Sequence, residues 1–510
     1  MFSKVIKLSL AVLFLFSCTP YAQGQSVIGG VSEKEAPAEK REVSEKPIAD
    51  LGFLEPLSGT MTLSPDGRHL AYVSQAGKKQ VLVLDGKEGK QYDIIYAAAE
   101  IGARTTEGEW KQLDTQYGGS GLVFSPGSTR IAYCVKDGKK EFVVIDGEEG
   151  KQYDKIVHIP VFSPDSTRVA YCVKDGDKEF IVMDGEEGKG YDGAAWPVFS
   201  PDSKQLVYTA MLGEKLTVVL NGEEGKQYDN IDAVPSLVFS PDSRRLAYCA
   251  KDGDKWIVVV DSQEVAKYED VRMTEFVFSP DSKRIVYAAQ IGTKWFAVVD
   301  GREWKAYDAV SPPAFSPDSK RVAYGACSGS DWFIVMDREE EKTCGPIGAL
   351  TFSPDSKRTA FVAKVGDKQV VVVDGEGGKQ YDGIGQLGPI FSPDGKRIVY
   401  IAKVGEKDIA VVDGEEGKQY DVIFRGSLIF SPDGMRVAYS AIEFTKAGSG
   451  WFLKWFVVVD GVEGKQYDGF MTGGGPFFDS PDSLHYLVPI GSEIYLVEEK
   501  LEGNTGQVSA

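Results

Sequence analysis

Only three histidines occur in the 510 residues, at positions 69, 158 and 485, against 76 acidic and 57 basic side chains. Imidazole supplies most proton transfer and much metal ligation near neutral pH, so any chemistry would fall mainly to carboxylates. His69 and His485 align on a recurrent turn with Arg130, Arg168, Arg321 and Arg397, and His158 stands alone in a stretch read as a loop. No Ser-His-Asp or Cys-His set can be assembled from them, so no catalytic residue is assigned.

The carboxylates recur in two patterns. Asp66, Asp165, Asp202 and Asp242 each follow Ser-Pro and read as turn residues with the nearby arginine as partner. Tyr-Asp pairs recur at 92–93, 153–154, 191–192, 228–229, 307–308, 381–382, 420–421 and 467–468. Their carboxylates gather on one face, where they could attract a cation or a basic partner, but capping the loop is the favoured reading. Asp-Gly-Asp at 175–177 and 252–254 resembles a fragment of a calcium loop without the remaining ligands. No metal and no cofactor is assigned.

Cys134, Cys172, Cys249, Cys327 and Cys344 follow an odd count and match no metal spacing. Three of them sit in the same Ala-Tyr-Cys context, which marks small core residues of equivalent units and no disulfide framework. The net charge is −19 and no basic run interrupts it, which argues against nucleic acid and anionic lipid as partners.

The elements that position these residues are copies of one unit. Ser-Pro-Asp-Ser/Gly, usually after Phe, recurs with its first serine at 64, 125, 163, 200, 240, 279, 316, 353, 392, 431 and 480, with Gly127 replacing the Asp in the second copy. Repetition at this regularity is the signature of a repeat architecture. Within residues 162–198 the turn puts Pro where φ is fixed near −65°, Asp175-Gly176 signals a hairpin, and 184–188 turns the chain before a short strand at Tyr191. Four short antiparallel strands make one blade. Several strands are apolar on both faces, as at Val370–Val373, which suits sheets packed between neighbouring sheets. Pro160, Pro197, Pro235, Pro389 and Pro476 head the first strand, which must therefore keep one edge unpaired, as the innermost strand of a propeller blade does.

The Ser-Pro-Asp-Gly turn followed by an Arg/Lys-Ile-Ala-Phe/Tyr strand resembles the TolB-type, Trp-Asp-repeat-like propeller repeat over residues 48 to about 497. The resemblance implies an all-β propeller of about eleven blades and a binding role. It does not extend to TolB itself, whose N-terminal α/β domain has no counterpart here. Eleven blades exceed the usual range of about four to eight, so one wide ring and two smaller rings are both open. The array is expected over 48–498, with Ile48 to Leu57 pairing the C-terminal strand in a shared blade and 499–510 as a tail.

Residues 1–18 carry two lysines and an apolar stretch from Leu8 to Phe16, too short to span about 30 Å of hydrocarbon and suited to an export signal. Leu15-Phe16-Ser17-Cys18 resembles a lipobox, which would lipidate Cys18, and cleavage after Ala22-Gln23-Gly24 is the alternative. Residues 19–47 read as a flexible tether. The expected location is the periplasm or the outer membrane, or outside the cell, with membrane attachment only through the lipid.

Departures from the repeat point to a working face. Two insertions, 94–120 between blades one and two and 442–454 inside blade ten, emerge on the side of the second-to-third strand turns. The start of the third strand is polar in several blades (Glu141, Glu179, Gln369, Asp408), yet it is Trp256, Trp295 and Trp332 in three consecutive blades and Trp455 in blade ten. Trp196 is placed in a loop on that side, and Trp110, Phe444, Trp451 and Phe452 belong to the insertions. The expectation is a non-catalytic envelope scaffold that binds a protein, or a glycan, through these aromatics. A propeller enzyme acting on envelope polysaccharide and a purely structural spacer are the alternatives.

Overall fold

Repeated turn chemistry dictates the architecture. In the computed structural model, which describes residues 41–502 apart from 53–54, 97–101, 105–109, 113–120, 232–236, 273–275, 344, 448–449, 468, 470 and 472–473, the chain is an all-β propeller with eleven antiparallel blades. Blade three shows the pattern: Lys155–Phe162, Val169–Asp175, Lys178–Met183 and Glu186–Glu187 pair in chain order. Its Ser163 hydroxyl donates to Asp165 Oδ1 at 2.6 Å and accepts the Arg168 amide at 3.0 Å, while Asp165 Oδ1 accepts the Thr167 amide at 3.0 Å. These bonds consume the carboxylate and hold it at about 2, with the serine hydroxyl the leading cause. The arginine goes elsewhere: Arg168 Nε reaches Asp184, in the turn between strands three and four, at 3.0 Å. The expected pairing of the turn aspartate with that arginine is thus corrected.

The residue after the aspartate adopts positive φ, 66° at Ser166 and 73° at Gly395. Where it is serine, its hydroxyl also reaches the preceding blade: the Asp165 amide donates to Ser203 Oγ at 3.0 Å and the Asp281 amide to Ser319 Oγ at 2.9 Å. The turns of blades one to eight are therefore stapled one to the next, whereas Ser483 of blade eleven meets Ser480 of its own turn.

Buried clusters decide the ring count. Each joins one blade to its successor, from Tyr92 and Tyr133 between blades one and two to Trp455 and Tyr486 between ten and eleven. A further cluster of Ala49, Leu70, Tyr72, Val81, Leu487 and Ile494 joins blade eleven to blade one, so the eleven blades close as a single ring. Blade eleven takes its outermost strand from the N-terminal side: Arg41–Asp50 pairs Glu493–Leu501. That strand starts ahead of the expected Ile48, and the last strand runs past the expected boundary at Glu498 to Leu501. The polar composition of 41–47 was no guide, because outermost strands such as Glu223–Tyr228 are equally polar and exposed.

Inner strands are irregular. In blade three the register breaks between His158 and Val161, around Pro160, and in blade four between Ala195 and Val198, around Pro197. Trp196 takes φ 59° at that break. The first insertion lies inside the innermost strand of blade two, between Ile94–Ile95 and Leu122–Phe124, and not in a connection between blades as expected.

Candidate functional site

The face that carries the second-to-third strand hairpins is built by a repeated set of caps. Asp154, at the end of blade two, accepts the Gly176 amide of the blade-three hairpin at 2.8 Å and Lys140 Nζ at 2.7 Å. Lysine and the amide hold its carboxyl below the usual range, in that order. Asp93, Asp192, Asp229, Asp308 and Asp382 cap the hairpins of the following blades in the same way. Asp421 caps Phe444 N at 2.9 Å. These carboxylates are spent on the fold, and among the described residues no group of three or more His, Cys, Asp or Glu could hold a metal ion. Asp468 lies outside the described residues.

The aromatic slot differs from its sequence-based picture. Glu141 and Glu179 are buried there and accept the backbone N–H of Ile156 at 2.9 Å and of Ala194 at 3.0 Å. Gln369 does the same for Ile384 at 2.6 Å. Polarity in this slot therefore signals a cap for a backbone N–H, buried at Glu141 and Glu179 and half-buried at Gln369 and Asp408. Trp256, Trp295 and Trp332 stand in the same slot of blades five, six and seven and are half-buried. Trp256 packs on the cluster between blades five and six with Lys251 5.6 Å from its ring. The Arg272 guanidinium sits 4.5 Å from the Trp295 ring, within cation–π range. Trp455 is 1% exposed and belongs to the core.

Trp196 lies in a strand, Gly193–Phe199, and not in a loop, with its ring centroid 4.5 Å from that of His158. His158 is likewise in a strand, and burial lowers its imidazole to about 4. His69 does replace an arginine, since Nδ1 meets Asp85 at 2.7 Å as Arg168 meets Asp184. His485 does not. It directly precedes Tyr486, pairs Glu498 in register, and takes the strand position of Ala438, because the blade-eleven turn leads straight into the strand.

The blade-ten hairpin is the largest departure on this face. Its strands run Val437–Ala447 and Gly450–Val459, where blade nine has only Ile398–Val404 and Lys407–Val412. Phe444 pairs Leu453 and Thr445 pairs Phe452 in register, so the two phenylalanines lie on opposite faces of the ribbon. Phe452 is 49% exposed and Phe444 39%. Trp451 and Trp110 lie in strands, and their side chains fall outside the described residues, as does Cys18. Sequence reasoning missed the buried His158–Trp196 contact; the alternation of Ile156, His158 and Pro160 with Val157, Ile159 and Val161 was its only signal.

No family model and no curated protein matches the chain. Among solved structures, the chain is similar to a eukaryotic initiation factor at 12% identity, covering 73% of this chain and 98% of that one with a TM-score of 0.35. It is also similar to the β-propeller domain of the trilobed protease of Pyrococcus furiosus, at 17% identity with coverage of 51% and 93% and a TM-score of 0.26. For TolB of Acinetobacter baumannii the figures are 14%, 60% and 77%, and 0.21.

Proposed function

We propose that this chain is a non-catalytic binding propeller of the cell envelope, exported through residues 1–18, whose hairpin-bearing face engages a protein partner. The observation that carries the reading is the extended blade-ten ribbon, which holds Phe444 and Phe452 out of the core on a chain of net charge −19. Apolar rings held on a rigid strand pair lose little side-chain entropy on contact and give a large area to a partner. The half-buried Trp256, Trp295 and Trp332 offer a second strip on the same face, and stacking of a glycan on these rings is the runner-up.

The test is partner capture from native envelope by the wild type, by Phe444→Ser/Phe452→Ser, and by Trp256→Ala/Trp295→Ala/Trp332→Ala. The ribbon variant keeps the wild-type melting temperature and loses the partner. Capture unchanged in both variants overturns the reading, and sensitivity to soluble envelope glycan transfers it to a carbohydrate ligand.

A further inference from the structure

The joint between blades ten and eleven holds a cavity of about 450 Å³ on the channel side. Its walls are apolar, with Phe424, Phe430, Met471, Pro476, Phe477 and Phe478 prominent among them. Pockets of this size and lining take small ligands through a few well-placed polar groups. Most polar groups here are already committed. Ser431 Oγ donates to Asp433 at 2.6 Å, and Ser427 Oγ donates to Phe424 O at 2.8 Å and accepts the Ser440 amide at 2.9 Å.

Two are not. Ser440 is 2% exposed, lines the cavity, and its hydroxyl has no hydrogen-bond partner among the described residues. The same strand position holds Cys134, Cys172, Cys249, Ala288 and Ile401 in other blades, so the fold does not ask for a hydroxyl there. Thr209, which also carries one, spends it on Ala195 O at 3.3 Å. Arg425, exposed on the cavity wall, is the second: its guanidinium offers five donors suited to a carboxylate fork. A buried donor left unpaired is costly, and it is kept where something pairs with it.

We propose that this cavity binds an organic carboxylate with an aromatic or branched apolar body, the carboxylate meeting Arg425 and a polar atom of the ligand meeting Ser440 Oγ. Two sources share that chemistry, a free small acid and the C-terminus of a peptide. The site uses neither Phe444 nor Phe452, so it stands or falls separately from the proposed protein partner.

Calorimetric titration of the full chain with N-acetylphenylalanine, its amide, and a pentapeptide ending in Phe with a free carboxylate tests it. The acid or the peptide binds saturably, and the amide and the Arg425→Ala variant bind at least about tenfold more weakly, as loss of a charge-assisted pair requires. Ser440→Cys, which copies blades two, three and five, weakens binding and raises the melting temperature by removing an unpaired hydroxyl. Tighter binding of the peptide assigns peptide ends, and tighter binding of the acid assigns a small metabolite. No saturable binding by either at about 10 mM, or equal affinity in wild type and Arg425→Ala, overturns the proposal.

Discussion

Two joints of the ring, both within a continuous chain, are held very differently. Between blades nine and ten, Lys418 reaches Glu463 at 2.6 Å, Tyr420 donates to the same carboxylate at 3.1 Å, and Tyr420 packs edge-on to Tyr439 at 6.1 Å. Among the described residues, eleven buried ones fill that joint. Between blades seven and eight only the lysine of this set is kept. The tyrosines are replaced by Cys344 and Phe361, the glutamate by Gly377, and Lys342 turns back to Asp331 of its own blade at 2.8 Å. The buried cluster shrinks to Ile334, Phe361, Ala363 and Val370. A repeat protein tolerates one weak joint because each interface contributes separately to stability. Lys342 keeps its charge paired within its own blade, so the loss of the glutamate leaves no unpaired charge behind.

The closing joint shows the opposite solution. The break in the chain falls inside blade eleven, where the N-terminal strand Arg41–Asp50 meets the C-terminal strand Glu493–Leu501 through non-covalent contacts alone, and Arg41 ties that strand both to its own blade and to blade ten. It meets the buried Glu499 at 3.0 Å and the Val462 carbonyl at 2.5 Å, while Glu499 also accepts from Tyr486. Arg41→Met strands that carboxylate and costs about 3–5 kcal/mol, the range for one partner removed from a buried pair. Urea denaturation reads the loss, and a loss below about 1 kcal/mol would place Arg41 with ordinary surface pairs.

A smaller effect is expected at the joint of blades three and four, where His158 meets Trp196. Burial lowers the folded pKa to about 4, and the unfolded chain takes up its proton near 6.5. The unfolded state therefore binds more protons between these values, so stability is complete above about 6.5 and is lost as pH falls toward 4, by on the order of 3 kcal/mol. The wild type should lose urea resistance between pH 7 and pH 4.5 more steeply than His158→Phe; parallel slopes would show that the imidazole is already solvated.

The smallest effect sharpens the weak joint itself. A side chain at Gly377 meets nothing closer than Val370 at 3.9 Å, so Gly377→Glu can be accommodated and restores an acceptor for Lys342. An exposed pair of this kind adds about 0.2–1 kcal/mol. Amide exchange in Thr359–Val365 should slow relative to Ile398–Val404, and no change would mean that apolar packing alone sets the strength of this joint.

Much of this was legible because the repeat prints its turns in sequence. Ser-Pro-Asp and Asp-Gly fix local geometry through φ preferences and short hydrogen bonds, so blade count and strand order followed from spacing. The shared blade at the two chain ends followed as well, but its bounds and the single ring did not, since residues 41–47 look as polar as a tether and only pairing with the C-terminal strand and packing against Leu487 and Ile494 reveal them. The aromatic face was half legible. The positions of Trp256, Trp295 and Trp332 were visible, but their burial was not, because Glu141 and Glu179 occupy the same slot as buried caps for a backbone N–H in the following blade. The Ser440 cavity needs contacts from several blades and leaves as its trace only a serine in a slot where Thr209 alone also carries a hydroxyl.

The most direct test of the binding role is site-specific photo-cross-linking in native envelope, with the reactive group placed at Phe452 on the ribbon or at Glu223 on an exposed outermost strand. A discrete adduct from position 452 and none from position 223 is the expected result. Equal labelling from both positions, or none from position 452, would contradict a partner-binding face built on the blade-ten ribbon.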